Sequence, residues 1–85
     1  MSMSIGIKIL DVHSVPVVDI YPLFAKSPSE AERQLLRFAG LSFYSTISVE
    51  YSGDTWDRSW VEQDGVQFIV YPLRKPVVRP CDLYK

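Results

Sequence analysis

The chain has 85 residues and a mass of 9.7 kDa, with 47% hydrophobic residues, 13% aromatic residues and a formal net charge of −1. A chain this apolar with so little net charge is expected to fold rather than stay disordered, and no apolar run approaches the roughly 20 residues of a membrane-spanning helix. The length allows one small globular domain.

The only cysteine, Cys81, cannot form a disulfide within the chain, which favours a reducing compartment. The first residues contain no basic region ahead of a long apolar stretch, so we expect no secretory signal and a cytoplasmic protein. Domains of this size often depend on disulfides, metals or oligomerisation for their stability. Because the sequence supports neither of the first two, we expect oligomerisation.

The first third of the chain predicts two strands. Between residues 5 and 9 isoleucine alternates with glycine or lysine, which is the period-two pattern of a strand. His13 and Ser14 form the expected connecting turn. The segment Val15–Phe24 is rich in β-branched residues but contains Pro16 and Pro22. Since proline has no amide N–H for the ladder, this strand is expected at an edge of the sheet or to be short.

A helix is expected to begin after Ser27. The residues Ser27, Pro28 and Glu30 form a capping box with proline at the first helical position. Gly40 is expected to end the helix in the left-handed conformation. The predicted apolar stripe of this helix consists of Ala31, Leu35, Phe38 and Ala39.

Three more strands are expected after the helix. The segment Phe43–Ser52 alternates between apolar and polar residues, and Gly53-Asp54 lies in a predicted turn. Asp64-Gly65 has the composition of a type I′ hairpin turn. A two-residue loop there places Gln63 opposite Val66, Val61 opposite Phe68, Trp60 opposite Ile69 and Arg58 opposite Tyr71.

These elements predict an α+β fold with the order β-β-α-β-β-β, in which one helix covers one face of an antiparallel sheet of four to five strands. Residues 1–73 form the expected domain, and residues 74–85 form an extended basic C-terminal arm. Residues 43–66 carry a net charge of −4 and residues 67–85 a net charge of +3. The arm and the hairpin region are therefore electrostatically complementary, either within one chain or between two copies.

The hairpin formed by residues 56–73 is apolar on both faces. One face carries Val61, Val66, Phe68 and Val70 and is expected to pack on the helix; the other carries Trp56, Arg58, Trp60, Glu62, Gln67, Ile69, Tyr71 and Leu73. One helix cannot cover both faces of a sheet. Either the aromatic face binds a partner, or the C-terminal segment folds over it, or the faces are reversed and Trp56 and Trp60 form the core.

The sequence offers little support for catalysis. His13 and Cys81 are the only residues of their types, and the acidic residues Asp54, Asp57, Glu62 and Asp64 lack the spacing of a calcium loop. We therefore expect a non-enzymatic protein with no metal ion and no cofactor.

We predict a protein-binding module with no membrane segment. It associates with a second copy of itself or with another protein, as small accessory inhibitors and adaptors do. Trp, Tyr and Arg are enriched at interface hot spots. The predicted interface comprises Trp56, Arg58, Trp60, Ile69, Tyr71 and Leu73. The alternative is a nucleic-acid-binding module that uses Arg74, Lys75, Arg79 and Lys85, although the acidic hairpin disfavours it.

Overall fold

The computed structural model describes residues 2–42 and 45–74. Within them, β1 spans Met3–Leu10, β2 Pro16–Ala25, α1 Pro28–Ala39, β3 Ser48–Ser52, β4 Thr55–Gln63 and β5 Val66–Pro72. The strands form one antiparallel sheet in the order β2-β1-β5-β4-β3. The predicted α+β fold and element order are confirmed.

Short-range sequence signals explain the turns. In the first hairpin, the Asp11 carboxylate accepts hydrogen bonds from the backbone N–H groups of His13 and Val15, at 2.8 and 3.0 Å. In the β4–β5 hairpin, Asp64 and Gly65 have φ values of 55° and 82°, as a type I′ turn requires. Gln63 therefore pairs with Val66, and Trp60 with Ile69, in the register that the sequence predicts.

The edge position of β2 follows from its prolines. Pro16 and Pro22 lie in this strand, the Tyr21-Pro22 peptide bond is cis, and the pairing with β1 is irregular at two places. Because proline has no N–H to donate, a strand with two prolines and an irregular ladder cannot offer regular main-chain hydrogen bonds on both sides. The prediction that β2 lies at an edge is confirmed by the strand order.

The helix is capped as predicted. The Ser27 Oγ accepts a hydrogen bond from the Glu30 backbone N–H at 3.2 Å, and Gly40 ends the helix with φ of 72°. Beyond it, the Leu41 N–H donates to the Leu36 carbonyl at 2.8 Å, which satisfies one of the last helical carbonyls.

The helix packs on one face of the sheet, over β2, β4 and β5. We call this the inner face and the opposite one the outer face. The core between helix and sheet contains Ile5, Ile7, Ala25, Ala31, Leu35, Trp56, Val61 and Val70. The predicted apolar stripe is partly wrong, because Leu36 is buried whereas Phe38 is 44% exposed. The helix is thus rotated on the sheet so that Leu36 faces the loop before β3, where it lines a cavity with Ile47.

Trp56 lies on the inner face, so its predicted position beside Trp60 is wrong. Glu50 of β3 pairs with Arg58, whereas the next residue, Tyr51, pairs with Trp56. Asp57 is therefore an extra residue, a β-bulge that shifts the alternation of β4 by one position. As a result Trp56 enters the core, where 5% of its surface is exposed.

A hydrogen-bonded chain connects the helix to β4 through the core. The Trp56 indole Nε1 donates to the Ser59 Oγ at 2.9 Å, and that hydroxyl donates to the Glu32 carboxylate at 2.5 Å. Ser59 is completely buried, but its hydroxyl both accepts and donates a hydrogen bond. Because side chains alternate between the two faces of β4, Ser59 points into the core, and its two hydrogen bonds satisfy the buried hydroxyl.

The strand β3 is shorter than predicted and is not covered. It begins at Ser48 instead of Phe43, since residues 45–47 are not in a strand and residues 43–44 lie outside the described part of the chain. All five residues of β3 are exposed, including Val49 at 46% and Tyr51 at 54%. The sheet therefore extends past the area that the helix covers.

Candidate functional site

The outer face of the sheet is the candidate site, because no described helix or strand packs on it. Its aromatic residues follow one another across the sheet from β2 to β4. Tyr71 on β5 lies opposite Gly6 of β1, and Trp60 on β4 lies opposite Ile69 of β5. Charged side chains lie among these rings, so that the surface alternates between aromatic and charged groups.

Arg58 and Trp60 form one end of the outer face. The Arg58 guanidinium lies 4.5 Å from the centre of the Trp60 ring, within the range of a cation–π interaction. The same guanidinium donates to the Glu50 carboxylate of β3 at 3.2 Å. Arg58 is exposed whereas Trp60 is only partly exposed, since the arginine covers part of the indole.

Tyr71 is held at three points near the middle of the face. Its hydroxyl donates to the Asp19 carboxylate of β2 at 2.7 Å, and the Lys8 ammonium lies 5.2 Å from its ring centre. The ring lies over Gly6. Burial raises the pKa of the Tyr71 phenol, and the hydrogen bond to Asp19 and the negative charge of that carboxylate raise it further. Tyr71 therefore stays a neutral hydrogen-bond donor at physiological pH.

Gly6 is required for this position of the Tyr71 ring. A Cβ atom at Gly6 would lie 2.6 Å from the Cζ and hydroxyl atoms of Tyr71. We expect Gly6→Ala to displace the ring, break its contacts with Asp19 and Lys8 and lower the free energy of unfolding by about 1–3 kcal/mol. Urea unfolding would measure this change. In a Tyr71→Val background the same substitution should cost little; an equal cost in both backgrounds would contradict the proposed clash.

Ile69 is less accessible than the sequence predicts. It belongs to the outer face, yet only 7% of its surface is exposed. Its cross-strand neighbours are Trp60 on one side and Lys8 on the other. These long side chains can lie over a smaller neighbour. Ile69 therefore packs beneath them and contributes little accessible area to the outer face. The accessible members of the predicted interface are thus Arg58 and parts of Trp60 and Tyr71, while Leu73 is half-buried after the end of β5.

Two aromatic residues of the outer face were missed by the sequence analysis. Phe24, 60% exposed, pairs with Ser4 on the same side of β1 as Lys8 and Gly6. Tyr21, 56% exposed, lies near enough to Tyr71 to affect its pKa. In a regular strand residues 21 and 24 would point to opposite faces of the sheet. The irregular pairing beside Pro22 brings both side chains to the outer face. They extend the aromatic surface to the β2 edge.

Asp57, the bulged residue, is held by two neighbours at the end of the sheet. The Ser52 hydroxyl and the Arg74 guanidinium each donate a hydrogen bond to its carboxylate, and Arg74 also donates to the Trp56 carbonyl. The hydrogen bond from Ser52 lowers the pKa of Asp57 most, and that from Arg74 lowers it further, against an opposing effect of desolvation. These contacts hold the backbone in the conformation that points Trp56 inward.

The lowered pKa of Asp57 predicts a pH dependence. Its charged form is favoured by folding, so its contribution to stability is present above the unfolded-state pKa of about 4 and is lost as the pH falls through the lower folded-state value. We expect Asp57→Asn to be less stable than the unsubstituted protein near neutral pH, and this difference to be smaller near pH 2, where more of the carboxyl group is protonated in the folded protein. Urea unfolding at both pH values tests this, with Asp54→Asn in the preceding β3–β4 turn as the control. A difference of the same size at both pH values would contradict the assignment.

Two cavities lined by described residues flank the helix. One, of about 350 Å³, is lined by Ile7, Leu23, Gln34, Arg37 and Phe38; the other, of about 250 Å³, is lined by Ser29, Glu32, Arg33, Leu36, Ser45 and Ile47. Asp57, whose pKa is lowered, lines neither of them. Over residues 2–42 and 45–74, no three His, Cys, Asp or Glu side chains are grouped to hold a metal ion, and no helix is long and apolar enough to cross a bilayer.

The residues predicted for nucleic-acid contact are mostly outside the described part of the chain. Lys75, Arg79, Lys85 and most of the predicted arm lie beyond residue 74. Arg74 is described, and its guanidinium is bound to Asp57. The nucleic-acid alternative and the extended arm stay predictions.

No family model, curated protein or solved structure matches this chain. The interpretation of the outer face therefore depends on its geometry and chemistry.

Proposed function

We propose that the protein is a non-enzymatic, cytoplasmic protein-binding module that associates, most simply with a second copy of itself, through the outer face of its sheet. One observation carries the proposal: the helix covers only the inner face, and no described element packs over Tyr21, Phe24, Arg58, Trp60 and Tyr71. A large uncovered aromatic surface is characteristic of an interaction site.

The charges of the outer face also favour a protein partner. Arg58 is paired with Glu50, and the Tyr71 hydroxyl with Asp19, so these groups already have partners when a second surface removes their water. Burying a charge or a hydroxyl costs most when it is left without a partner. The pairing therefore lowers the desolvation penalty that these neighbours add when a second surface buries the aromatic rings. An adaptor or an inhibitor that blocks a protein surface would use such a face.

Sedimentation velocity tests the proposal. We expect the protein to sediment as a dimer at high micromolar concentration, and Trp60→Ala and Phe24→Ser to weaken the association by about tenfold or more, the effect of losing one hot-spot residue. Val12→Ser, which also removes an exposed apolar side chain but lies in the β1–β2 turn, is the matched control.

Circular dichroism should show that all three variants keep the fold, because none of these residues belongs to the core. Two results would overturn the proposal: a protein that remains monomeric at high micromolar concentration and captures no partner through this face, or association that is unchanged in both outer-face variants.

A further inference from the structure

The two edges of the sheet differ in how they are protected against pairing. The β2 edge carries two prolines, and its pairing with β1 is irregular at two places. Prolines and bulges on an edge strand disfavour its pairing with another strand. The β3 edge, Ser48–Ser52, has no proline, all its residues are exposed, and the extra residue of its one irregular position lies in β4. Such an edge strand presents main-chain donors and acceptors to a new strand.

The sequence around β3 is complementary to itself in an antiparallel arrangement. Around a two-fold axis at Val49, Val49 of β3 lies opposite the second copy's Val49, and the polar Ser48 lies opposite its polar Glu50. The same register places Tyr51 opposite the second copy's Ile47, an apolar residue directly before β3 that joins the ladder if the strand extends by one residue. Val49 and Tyr51 are the two exposed apolar residues of the strand. This arrangement would cover both.

The charge of Glu50 favours the register centred on Val49 over the register centred on Glu50. With the axis at Val49, each Glu50 lies opposite a serine and keeps its ion pair with Arg58, 3.2 Å away in the same chain. An axis at Glu50 would place two carboxylates directly opposite each other, which destabilises a pair of strands. The self-complementary register is therefore the one centred on Val49.

We propose that two copies of the chain pair along β3, antiparallel and centred on Val49, so that their five-stranded sheets become one continuous sheet. The contact is isologous and closes on itself. It goes beyond the proposed function because it uses the strand edge, and it leaves the outer faces of both copies side by side on the same side of the joined sheet. A short strand pair buries less than a standard interface, so we expect a weak, concentration-dependent association.

Site-directed cross-linking tests the register. In a Cys81→Ser background, which removes the only native cysteine, a Val49→Cys variant places two thiols on the two-fold axis, at a Cβ separation of about 4.5–5.5 Å that a disulfide can bridge with small adjustments. We expect mild oxidation to give a covalent dimer about tenfold faster than in Tyr51→Cys, which is similarly exposed but faces Ile47. Val12→Cys, distant in the fold, controls for random collision.

Equal rates for the three cysteine variants would overturn the proposal, as would fastest cross-linking in a Glu50→Cys variant, since that places the axis elsewhere. A Trp60→Ala substitution added to Val49→Cys separates the two proposals. Cross-linking that survives Trp60→Ala supports the β3 contact whatever the outer face does. Absence of Val49→Cys cross-linking, in a protein whose association still depends on Trp60, would overturn the edge contact and leave the outer-face function standing.

Discussion

Trp56→Ala is expected to lower the free energy of unfolding by about 3–5 kcal/mol, the usual cost of removing a buried large aromatic side chain. Only 5% of the Trp56 surface is exposed, and the ring packs in the cluster between the helix and the sheet. Its indole N–H also donates to Ser59, which in turn binds Glu32 of the helix. The substitution therefore leaves a cavity and removes one end of the chain of hydrogen bonds between β4 and α1.

Trp60→Ala is the matched control, since Trp60 is the other tryptophan of the chain and lies on the opposite face of the same strand. We expect it to change the free energy of unfolding by about 1 kcal/mol or less, while weakening association. Trp56→Phe, which keeps most of the ring volume but lacks the N–H, should lose about 1 kcal/mol from the missing hydrogen bond. Urea unfolding of the three variants measures all of these effects. Equal destabilisation by both alanine substitutions would contradict the assignment of the two tryptophans to opposite faces.

The position of Trp56 shows where sequence reasoning about the hairpin fails. Strict alternation groups Trp56 with Arg58 and Trp60, and it also points the side chain of Asp57 toward the helix. A charged residue at a core position conflicts with the cost of burying an unpaired charge. In the bulge Asp57 is an extra residue without a cross-strand partner, so its side chain does not have to enter the core. Hydrogen bonds from Ser52 and Arg74 stabilise its carboxylate there. That conflict was the available signal for a bulge.

Turns and caps could be predicted because their causes lie within a few residues. The hairpin at Asp64-Gly65 and the capping box at Ser27 need only backbone conformations and hydrogen bonds that these residues favour by themselves. The proline content of β2 likewise excluded a central position. The register of the last hairpin then followed from its turn.

The accessible part of the outer face could not be predicted in the same way, because it depends on neighbours distant in sequence. Ile69 is covered by cross-strand neighbours on two different strands, and Tyr71 is placed by a glycine 65 positions earlier in the chain. Tyr21 and Phe24 share a face only because the pairing of β1 and β2 slips beside Pro22. Alternation within one strand identified the face, but tertiary contacts decide which of its residues a partner can reach.

The helix provides the second large expected effect. Leu35→Ala should lower the free energy of unfolding by about 2–5 kcal/mol, because the Leu35 side chain is completely buried and its removal leaves a cavity over the sheet. The sequence places Phe38 on the same stripe, yet this residue is 44% exposed and lines the cavity that also contains Leu23 of β2. Phe38→Ala should therefore cost about 1 kcal/mol or less, the range of surface substitutions with few contacts.

The comparison of Leu35→Ala with Phe38→Ala tests how the helix is rotated on the sheet. Both substitutions shorten an apolar side chain in the same half of α1, so a change in helix propensity cannot produce a difference of several kcal/mol between them. Urea unfolding at equal protein concentration, with the slope m checked for constancy, gives the two values. If Phe38→Ala cost as much as Leu35→Ala, the Phe38 side chain would have to pack against the sheet. It would then fill the cavity that it lines with Leu23. The larger loss for Leu35 is expected because the helix lies over β4 and β5, where Val61 and Val70 complete the core around it.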